Sequence, residues 1–148
     1  MTTRPAAPLA VMLAMTLTLF TAPARSDTYG LFDPNPLTTN DGQQVYQLIC
    51  QGCHMADARG ATGAGNYPAL AGDRNLVSRQ FMALTILLGR RNMPAFGIDH
   101  ALFAEGPPVT LTTTQIAAVI NYVRTHFGNH YRDAISADEV KALDPGRH

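Results

Sequence analysis

Two cysteines and a histidine form the tightest constraint in this sequence. Cys50 and Cys53 are the only cysteines among the 148 residues, two residues separate them, and His54 follows at once. Residues i and i+3 of a helical turn lie on the same face, so both sulfurs would point in one direction. The imidazole of the next residue would project from the same end of the helix. The chain must fold around whatever these three side chains hold.

The pattern Cys-x-x-Cys-His is the signature of covalent haem attachment. A thioredoxin-like redox pair would need a βαβ pattern around it, which the sequence does not contain, and a zinc site would need a further ligand where no further cysteine exists. A disulfide between Cys50 and Cys53 would close a very small loop and stabilise the fold little. We therefore expect one haem c, bound covalently through Cys50 and Cys53, with His54 as an axial ligand of its iron.

The first 24 residues have the layout of a secretory signal peptide. Arg4 provides a positive charge, residues 9–20 are largely apolar, and Ala22-Pro23-Ala24 offers the small residues that precede a cleavage site. An uncleaved membrane anchor is the alternative, but the apolar stretch is shorter than the roughly 20 residues that a spanning helix needs. We expect cleavage before Arg25, a periplasmic location, no membrane span in the exported chain, and an irregular leader at residues 25–37.

The charge balance excludes several classes of partner. The chain has eleven Lys and Arg residues against eleven Asp and Glu residues, and loss of Arg4 with the signal peptide leaves ten against eleven, a net charge of −1. Lys141 is the only lysine. A basic surface for nucleic acid or anionic lipid is therefore not expected.

Capping residues and hydrophobic periodicity predict a mostly helical domain. Asn40 and Asp41 are good N-cap residues for a helix that carries the two cysteines near its C-terminal end. Ser78 begins a second helix, and Gly89 ends it. Between these helices, residues 58–72 contain four glycines and one proline, which argues against a regular element there.

The most pronounced helical pattern follows a capping box formed by Thr112 and Gln115. Its apolar residues recur at helical spacing and form one stripe, and Gly128-Asn129 ends the helix. A second capping box at Ser136 predicts a tail helix. The residues of the stripe are Ile116, Val119, Ile120, Val123 and Phe127.

Several motifs together resemble the class I monohaem cytochromes c of bacteria, over residues 38–128. They are Gly42 with Tyr46, Cys50-x-x-Cys53-His54, Tyr67-Pro68-Ala69-Leu70-Ala71-Gly72, Met93-Pro94-Ala95-Phe96 and Ile120-x-Tyr122-Val123. The resemblance implies an all-α class I cytochrome c fold, with three main helices wrapped around one covalently bound haem. To this domain we add a C-terminal extension, residues 129–148, with its short tail helix. The resemblance also implies that the first and last main helices cross where Gly42 and Tyr46 meet Tyr122.

The same resemblance implies the roles of two further residues. The carbonyl of Pro68 would bond the outer nitrogen of His54 and so fix its imidazole. Met93 would be the second axial ligand of the iron. Met55 directly follows His54 and would lie on the wrong side of the haem, and Met82 falls within an amphipathic helix, where methionine usually fills core space.

Five more residues are expected in the haem pocket. Tyr67, Leu70 and Phe96 would pack there without chemistry of their own. Arg90 and Arg91 precede the predicted ligand loop and would either bond a haem propionate or remain exposed charges.

Two segments depart from the family pattern. Residues 98–110 are longer than the usual link between the methionine loop and the last helix, and the extension beyond Asn129 is additional. Each is interpreted as docking surface or simply as surface loop. In the insertion 98–110, Ile98, Leu102 and Phe103 would offer apolar contacts to a partner near the haem.

An iron with protein ligands on both axial sides does not readily bind substrate, and no base, nucleophile or open metal site indicates turnover. We therefore expect an electron carrier and not an enzyme. Its donor would be a periplasmic dehydrogenase, and its acceptor an oxidase or another cytochrome. One alternative is a tightly bound cytochrome subunit of an alcohol, sugar or aldehyde dehydrogenase, whose cytochrome domains residues 121–129 also resemble. The other is a haem enzyme or gas sensor with an open distal site.

Overall fold

The computed structural model describes residues 37–63, 65–98 and 109–146, together with Met1. The predicted signal peptide, the leader up to residue 36 and residues 99–108 of the insertion lie outside the described residues. Helices dominate the described part, as the sequence predicts, and a two-stranded sheet is added to them. No helix within the described ranges is long and apolar enough to cross a membrane.

The cysteine segment is a continuous helical run that changes type partway. Helix α1 (Gly42–Val45) begins at Asp41, whose side chain accepts the Gln44 backbone N–H. A π-helical turn (Tyr46–Cys50) follows, and helix α2 (Gln51–His54) completes the run. It ends at Met55, whose φ of 65° is incompatible with a further helical turn.

The glycine-rich segment after α2 is more regular than its composition predicts. Strands β1 (Ala61–Thr62) and β2 (Asn66–Tyr67) pair antiparallel, with Ala61 opposite Tyr67. A 3₁₀ turn (Arg74–Val77) then precedes the next helix. The prediction of no regular element at 58–72 is therefore wrong for these four strand residues, because the pairing is set by backbone hydrogen bonding and not by β propensity.

The next two helices begin at the residues predicted to cap them. Helix α3 (Arg79–Leu88) starts after Ser78, whose hydroxyl accepts the Phe81 N–H, and it ends at Gly89. Helix α4 (Thr113–Thr125) starts with the predicted capping box of Thr112 and Gln115. It ends three residues before the predicted stop at Gly128.

The C-terminal extension folds back onto the helices and is part of the core. Helix α5 (Ala137–Leu143) begins with the predicted capping box at Ser136 and packs against α3 and α4. Ile135 and Val140 are buried with the apolar stripe of α4 in one cluster. The interpretation of this extension as a mere surface loop does not hold for its described residues.

Helices α1 and α4 cross at close range. A Cβ atom built on Gly42 would lie 2.2 Å from the Ala118 carbonyl oxygen, so only glycine permits this approach. One helical turn later, the ring of Tyr46 lies 5.9 Å from that of Tyr122 and 4.9 Å from that of Phe127. This crossing anchors the cysteine segment on the core.

Candidate functional site

Cys50, Cys53 and His54 lie together at the C-terminal end of the cysteine segment. The buried Tyr46 donates its hydroxyl hydrogen to the Met55 carbonyl at 2.7 Å, which fixes the backbone immediately after His54. Cys50 is half-buried and Cys53 is exposed, and neither forms a disulfide. Both sulfurs are therefore available to a common partner at this helix end.

The imidazole of His54 is buried and has a defined orientation. Its Nδ1 atom lies 2.9 Å from the Pro68 carbonyl oxygen, the contact that the resemblance implies. A carbonyl oxygen can only accept, so Nδ1 carries the proton and donates it, and Nε2 keeps its lone pair. Within the described part of the chain Nε2 makes no hydrogen bond. An imidazole held by one nitrogen with a free lone pair on the other is prepared to bind a metal.

A glycine places the Pro68 carbonyl opposite His54. Gly60 has a φ of +67°, and its N–H donates to the His54 carbonyl at 3.1 Å. A Cβ atom at this position would lie 2.1 Å from the Tyr67 oxygen and 2.8 Å from the Pro68 oxygen. On the other side of Pro68, the Leu70 and Ala71 amides both donate to the Ala58 carbonyl, at 2.7 and 2.9 Å. The backbone around Pro68 is thus fixed from both directions.

The Cys50 thiol does not have the character of a redox-active or zinc-binding cysteine. Burial, with a smaller effect from neighbouring Cys53, raises the pKa of the Cys50 thiol to about 12. Reactive and metal-binding cysteines have lowered pKa values, because the thiolate is the nucleophile and the ligand. No group of three or more metal-binding side chains occurs in the described ranges. The donor set, two thiols and one oriented imidazole, fits covalent haem attachment better than either alternative.

The segment that contains Met93 is a tight loop bound to the end of α3. Arg90 and Met93 exchange backbone hydrogen bonds of 2.9 and 3.0 Å, and Phe96 donates to the Ile86 carbonyl at 2.8 Å. Gly89 (φ +73°) makes room for this loop, since a Cβ atom there would lie 2.7 Å from the Met93 oxygen. Met93 is half-buried, whereas Met82 belongs to the buried core. The loop therefore presents Met93, and not Met82, at the edge of the core.

The other predicted pocket residues are placed less distinctively. Tyr67, Leu70 and Phe96 are half-buried. Arg91 is exposed, and the Arg90 guanidinium lies over the ring of the partly exposed Phe81, 5.4 Å from its centroid. An aromatic ring at this position was not predicted as a site residue, although it lies beside the loop that holds Met93.

Three residues with specific structural roles were not singled out from the sequence. Gly60 was treated only as one of several loop glycines, and Asn129 only as a helix stop. Arg124 was given no role, although only 1% of it is exposed. Its spacing of four residues from Ile120 and three from Phe127, both in the apolar stripe, was the available signal that it is buried.

Comparisons with known proteins agree on one family. The family described as Cytochrome c matches residues 39–127. The chain is 34% identical over 118 residues to the fructose dehydrogenase cytochrome subunit of Gluconobacter japonicus, which covers 73% of this chain and 23% of that protein. It is 29% identical over 104 residues to the alcohol dehydrogenase (quinone), cytochrome c subunit, of Gluconacetobacter polyoxogenes, covering 69% and 22%.

A third relative comes from a different type of complex. The Cbb3-type cytochrome c oxidase subunit CcoP of Cereibacter sphaeroides is 33% identical over 114 residues, covering 72% of this chain and 37% of that protein. The chain therefore spans between 22% and 37% of the length of these three curated relatives.

Proposed function

This chain belongs to the cytochrome c family, and from that premise we propose that it is a periplasmic one-electron carrier with His54 and Met93 as the axial ligands of its iron. Family membership and the Cys50-x-x-Cys53-His54 motif identify the cofactor as covalently bound haem c. When bound, haem c supplies an iron that changes its charge by one electron. The protein would hold the cofactor, orient the ligands of the iron and offer a binding surface to redox partners.

In this proposal each site residue has one task. Cys50 and Cys53 form the thioether bonds, and His54 binds iron through Nε2. Met93 supplies the second ligand from its loop, and a thioether in this position favours a higher reduction potential than a second imidazole would. Tyr67, Leu70 and Phe96 pack at the cofactor, and Arg90 and Arg91 offer charge to its propionates.

The observation that carries the proposal is the hydrogen bond from His54 Nδ1 to the Pro68 carbonyl. It selects the tautomer whose Nε2 can bind iron, and it limits rotation of the ring. A small change of geometry between two oxidation states is what rapid electron transfer requires, and a buried, anchored imidazole supports it. With protein side chains as ligands on both sides, the iron would have no open position for substrate, which favours an electron carrier over an enzyme.

The partner is proposed from the relatives. Two of them are named as cytochrome subunits of dehydrogenases and one as an oxidase subunit. We propose that this chain accepts electrons from a periplasmic dehydrogenase and passes them to an oxidase or another cytochrome. A free carrier is the first candidate, and a tightly bound subunit is the second. Purification from native periplasm distinguishes them, because only a subunit would co-purify with its dehydrogenase in fixed stoichiometry.

The export steps are also part of the proposal. Residues 1–24 would be cleaved before Arg25, and the domain 38–128 with its extension 129–148 would take up haem in the periplasm. A mass measurement on the isolated protein tests both points at once, since it reports the new N-terminus and the added mass of one haem. Acid-acetone should fail to extract that haem, and clean extraction would contradict covalent attachment.

Replacement of Met93 tests the ligand assignment. The oxidised wild type should show the weak near-infrared band of a ferric iron–thioether bond, and Met93→Ala should abolish it, lower the potential and open the iron to carbon monoxide. Met82→Leu is the matched control, because it changes a buried core methionine at nearly constant volume and should keep the band. A band that survives in Met93→Ala would reject the assignment. Carbon monoxide binding to the reduced wild type would favour the gas sensor or haem enzyme instead.

A further inference from the structure

The C-terminal extension contacts the backbone that follows Pro68. The family match ends at residue 127, and the extension begins two residues later. Its side chains nevertheless bond carbonyl groups far back in the chain, within residues 70–77. This segment connects the Pro68 turn with helix α3, so the extension is positioned to influence the geometry of the site.

Asn129 makes the contact nearest to the site. Its side-chain Nδ2 donates to the Leu70 carbonyl and to the Val123 carbonyl, each at 2.9 Å, and only 3% of the residue is exposed. Two residues with positive φ, Phe127 (56°) and Gly128 (79°), turn the chain after α4 and bring Asn129 to this place. The amide thus ties the end of α4 to the second residue after Pro68.

Neighbouring side chains bond the rest of the same segment. Arg124 donates from Nε to the Leu76 carbonyl at 2.9 Å and from a terminal nitrogen to the Val77 carbonyl at 3.2 Å. Asp133 of the extension accepts from that terminal nitrogen at 2.7 Å. Tyr131 donates to the Asp73 carbonyl at 3.4 Å, a weak bond by its length. Asn129 therefore acts as the first of several anchors along one backbone segment.

Pro68 depends on such neighbours because it has no backbone N–H of its own. Apart from the contact with His54, its carbonyl is held in place through the residues on either side. Leu70 is hydrogen-bonded through both of its backbone groups: its N–H donates to the Ala58 carbonyl, and its carbonyl accepts from the Asn129 side chain. We infer that Asn129 is a positioning residue for His54, acting through Leu70 and the Pro68 carbonyl.

This inference rests on the proposed role of His54 as an iron ligand. A hydrogen bond to the outer nitrogen of a ligating imidazole raises the basicity of the ligand. A more basic ligand stabilises the ferric iron, and outer hydrogen bonding is one of the levers on haem potential. Loosening the Pro68 carbonyl should therefore raise the reduction potential.

The test compares Asn129→Leu with Val140→Ala in the full-length holoprotein. Leucine has similar volume and no donor. We expect exchange of the Leu70 and Ala71 amides to become about tenfold faster relative to the Ile116 amide in α4, the factor expected for one lost buried hydrogen bond. We also expect the reduction potential to rise. Val140→Ala removes buried side-chain volume in α5 and leaves the side-chain donors to residues 70–77 in place, so it should lower global stability and leave the relative exchange and the potential unchanged.

Two results would count against the role given to Asn129. An unchanged potential in Asn129→Leu, or an equal shift in Val140→Ala, would overturn the inference and assign Asn129 to general stability. If Asn129→Leu does not fold, Asn129→Ser serves, because its shorter side chain also loses the Leu70 contact while remaining polar. Failure of the proposed function is recognised separately, since the wild type would then lack the spectrum of histidine–methionine ligation before any variant is made.

Discussion

Gly60 has the most demanding backbone position near the site. Its positive φ disfavours any other residue, and the surrounding carbonyl oxygens leave no room for a Cβ atom. Gly60 lets two backbone segments approach each other closely, and by that means it places the Pro68 carbonyl opposite His54.

Gly60→Ala should destabilise the holoprotein by about 1 to 3 kcal/mol, the usual cost of a strained backbone position. It should also broaden or shift the haem spectra, because the Pro68 carbonyl must move. Gly63→Ala is the control in the same segment, since a Cβ atom there meets nothing within 4 Å and its φ is not positive. Denaturant unfolding and near-infrared absorption measure both effects. Equal behaviour of the two variants would contradict the role given to Gly60.

The helix ends follow local rules closely. Ser78, Thr112 and Ser136 each accept a backbone N–H from the first turn of the helix that follows, as their sequence context predicts. The π-helical turn at Tyr46–Cys50, the 3₁₀ turn at Arg74–Val77 and the short sheet were not predicted. The sheet pairs residues only four and six positions apart, and the Asp73 side chain caps the 3₁₀ turn. Residue propensity carries little information about elements this short.

Thr112→Ala should lower the free energy of unfolding by about 1 kcal/mol, because the hydroxyl caps the Gln115 N–H at 3.2 Å. Gln115 would also lose its reciprocal bond to the Thr112 N–H if the backbone relaxes. Thr114→Ala is the matched control, because it removes the hydroxyl of an exposed residue in the same turn that is not the N-cap. Urea unfolding compares the two. An equal loss in both variants would mean that the cap contributes nothing.

At the scale of the whole molecule, the buried cation Arg124 joins helix α4 to the C-terminal extension. The Arg124 guanidinium bonds both the carbonyl and the carboxylate of Asp133 and lies 5.1 Å from the centroid of the Tyr131 ring. Arg79 adds ion pairs to Asp133 at 3.1 Å and to Glu139 at 2.8 Å. A buried guanidinium must be paired to be tolerated. The extension is therefore needed by the domain and is not an appendage.

We expect low pH to weaken the contact between Arg124 and Asp133. The hydrogen bond from Arg124, and to a lesser degree the other nearby donors, lowers the pKa of the Asp133 carboxyl. A lowered native pKa means that the stabilisation is complete above the ordinary aspartate range, near pH 4, and is lost as the pH falls through the lowered value. Asp133→Asn should thus be less stable than wild type at pH 7, with the two stability curves converging below about pH 4. Half of the side chain is exposed, so screening keeps the difference small. Curves that stay parallel would refute the assignment.

Partner binding should depend little on salt. The chain has eleven Lys and Arg residues against eleven Asp and Glu residues, and Lys141 is its only lysine, so we do not expect a strong single-sign surface for long-range steering. Ile98 and Val109 are exposed apolar residues within the insertion 98–110, at the two ends of its part that lies outside the described residues. We expect electron-transfer rates with a native partner to change less than about tenfold between low and moderate salt, measured by stopped-flow absorption, where steered pairs change far more. A collapse of the rate in salt, with Phe103→Ala kinetics unchanged, would reject an apolar docking surface.

The sequence alone determined the attachment motif, the family and the capped ends of the helices, and it predicts Met93 over Met82 as the second ligand. These rest on spacings and caps within one or two turns, where local chemistry decides the outcome. Only the tertiary structure decided the tautomer of His54, the need for glycine at position 60, and the burial of Arg124. The contacts responsible join residues separated by 14 positions for His54 and Pro68 and by 48 for Arg124 and Leu76. Which distant carbonyl meets which donor depends on how the helices pack, and no local pattern encodes that.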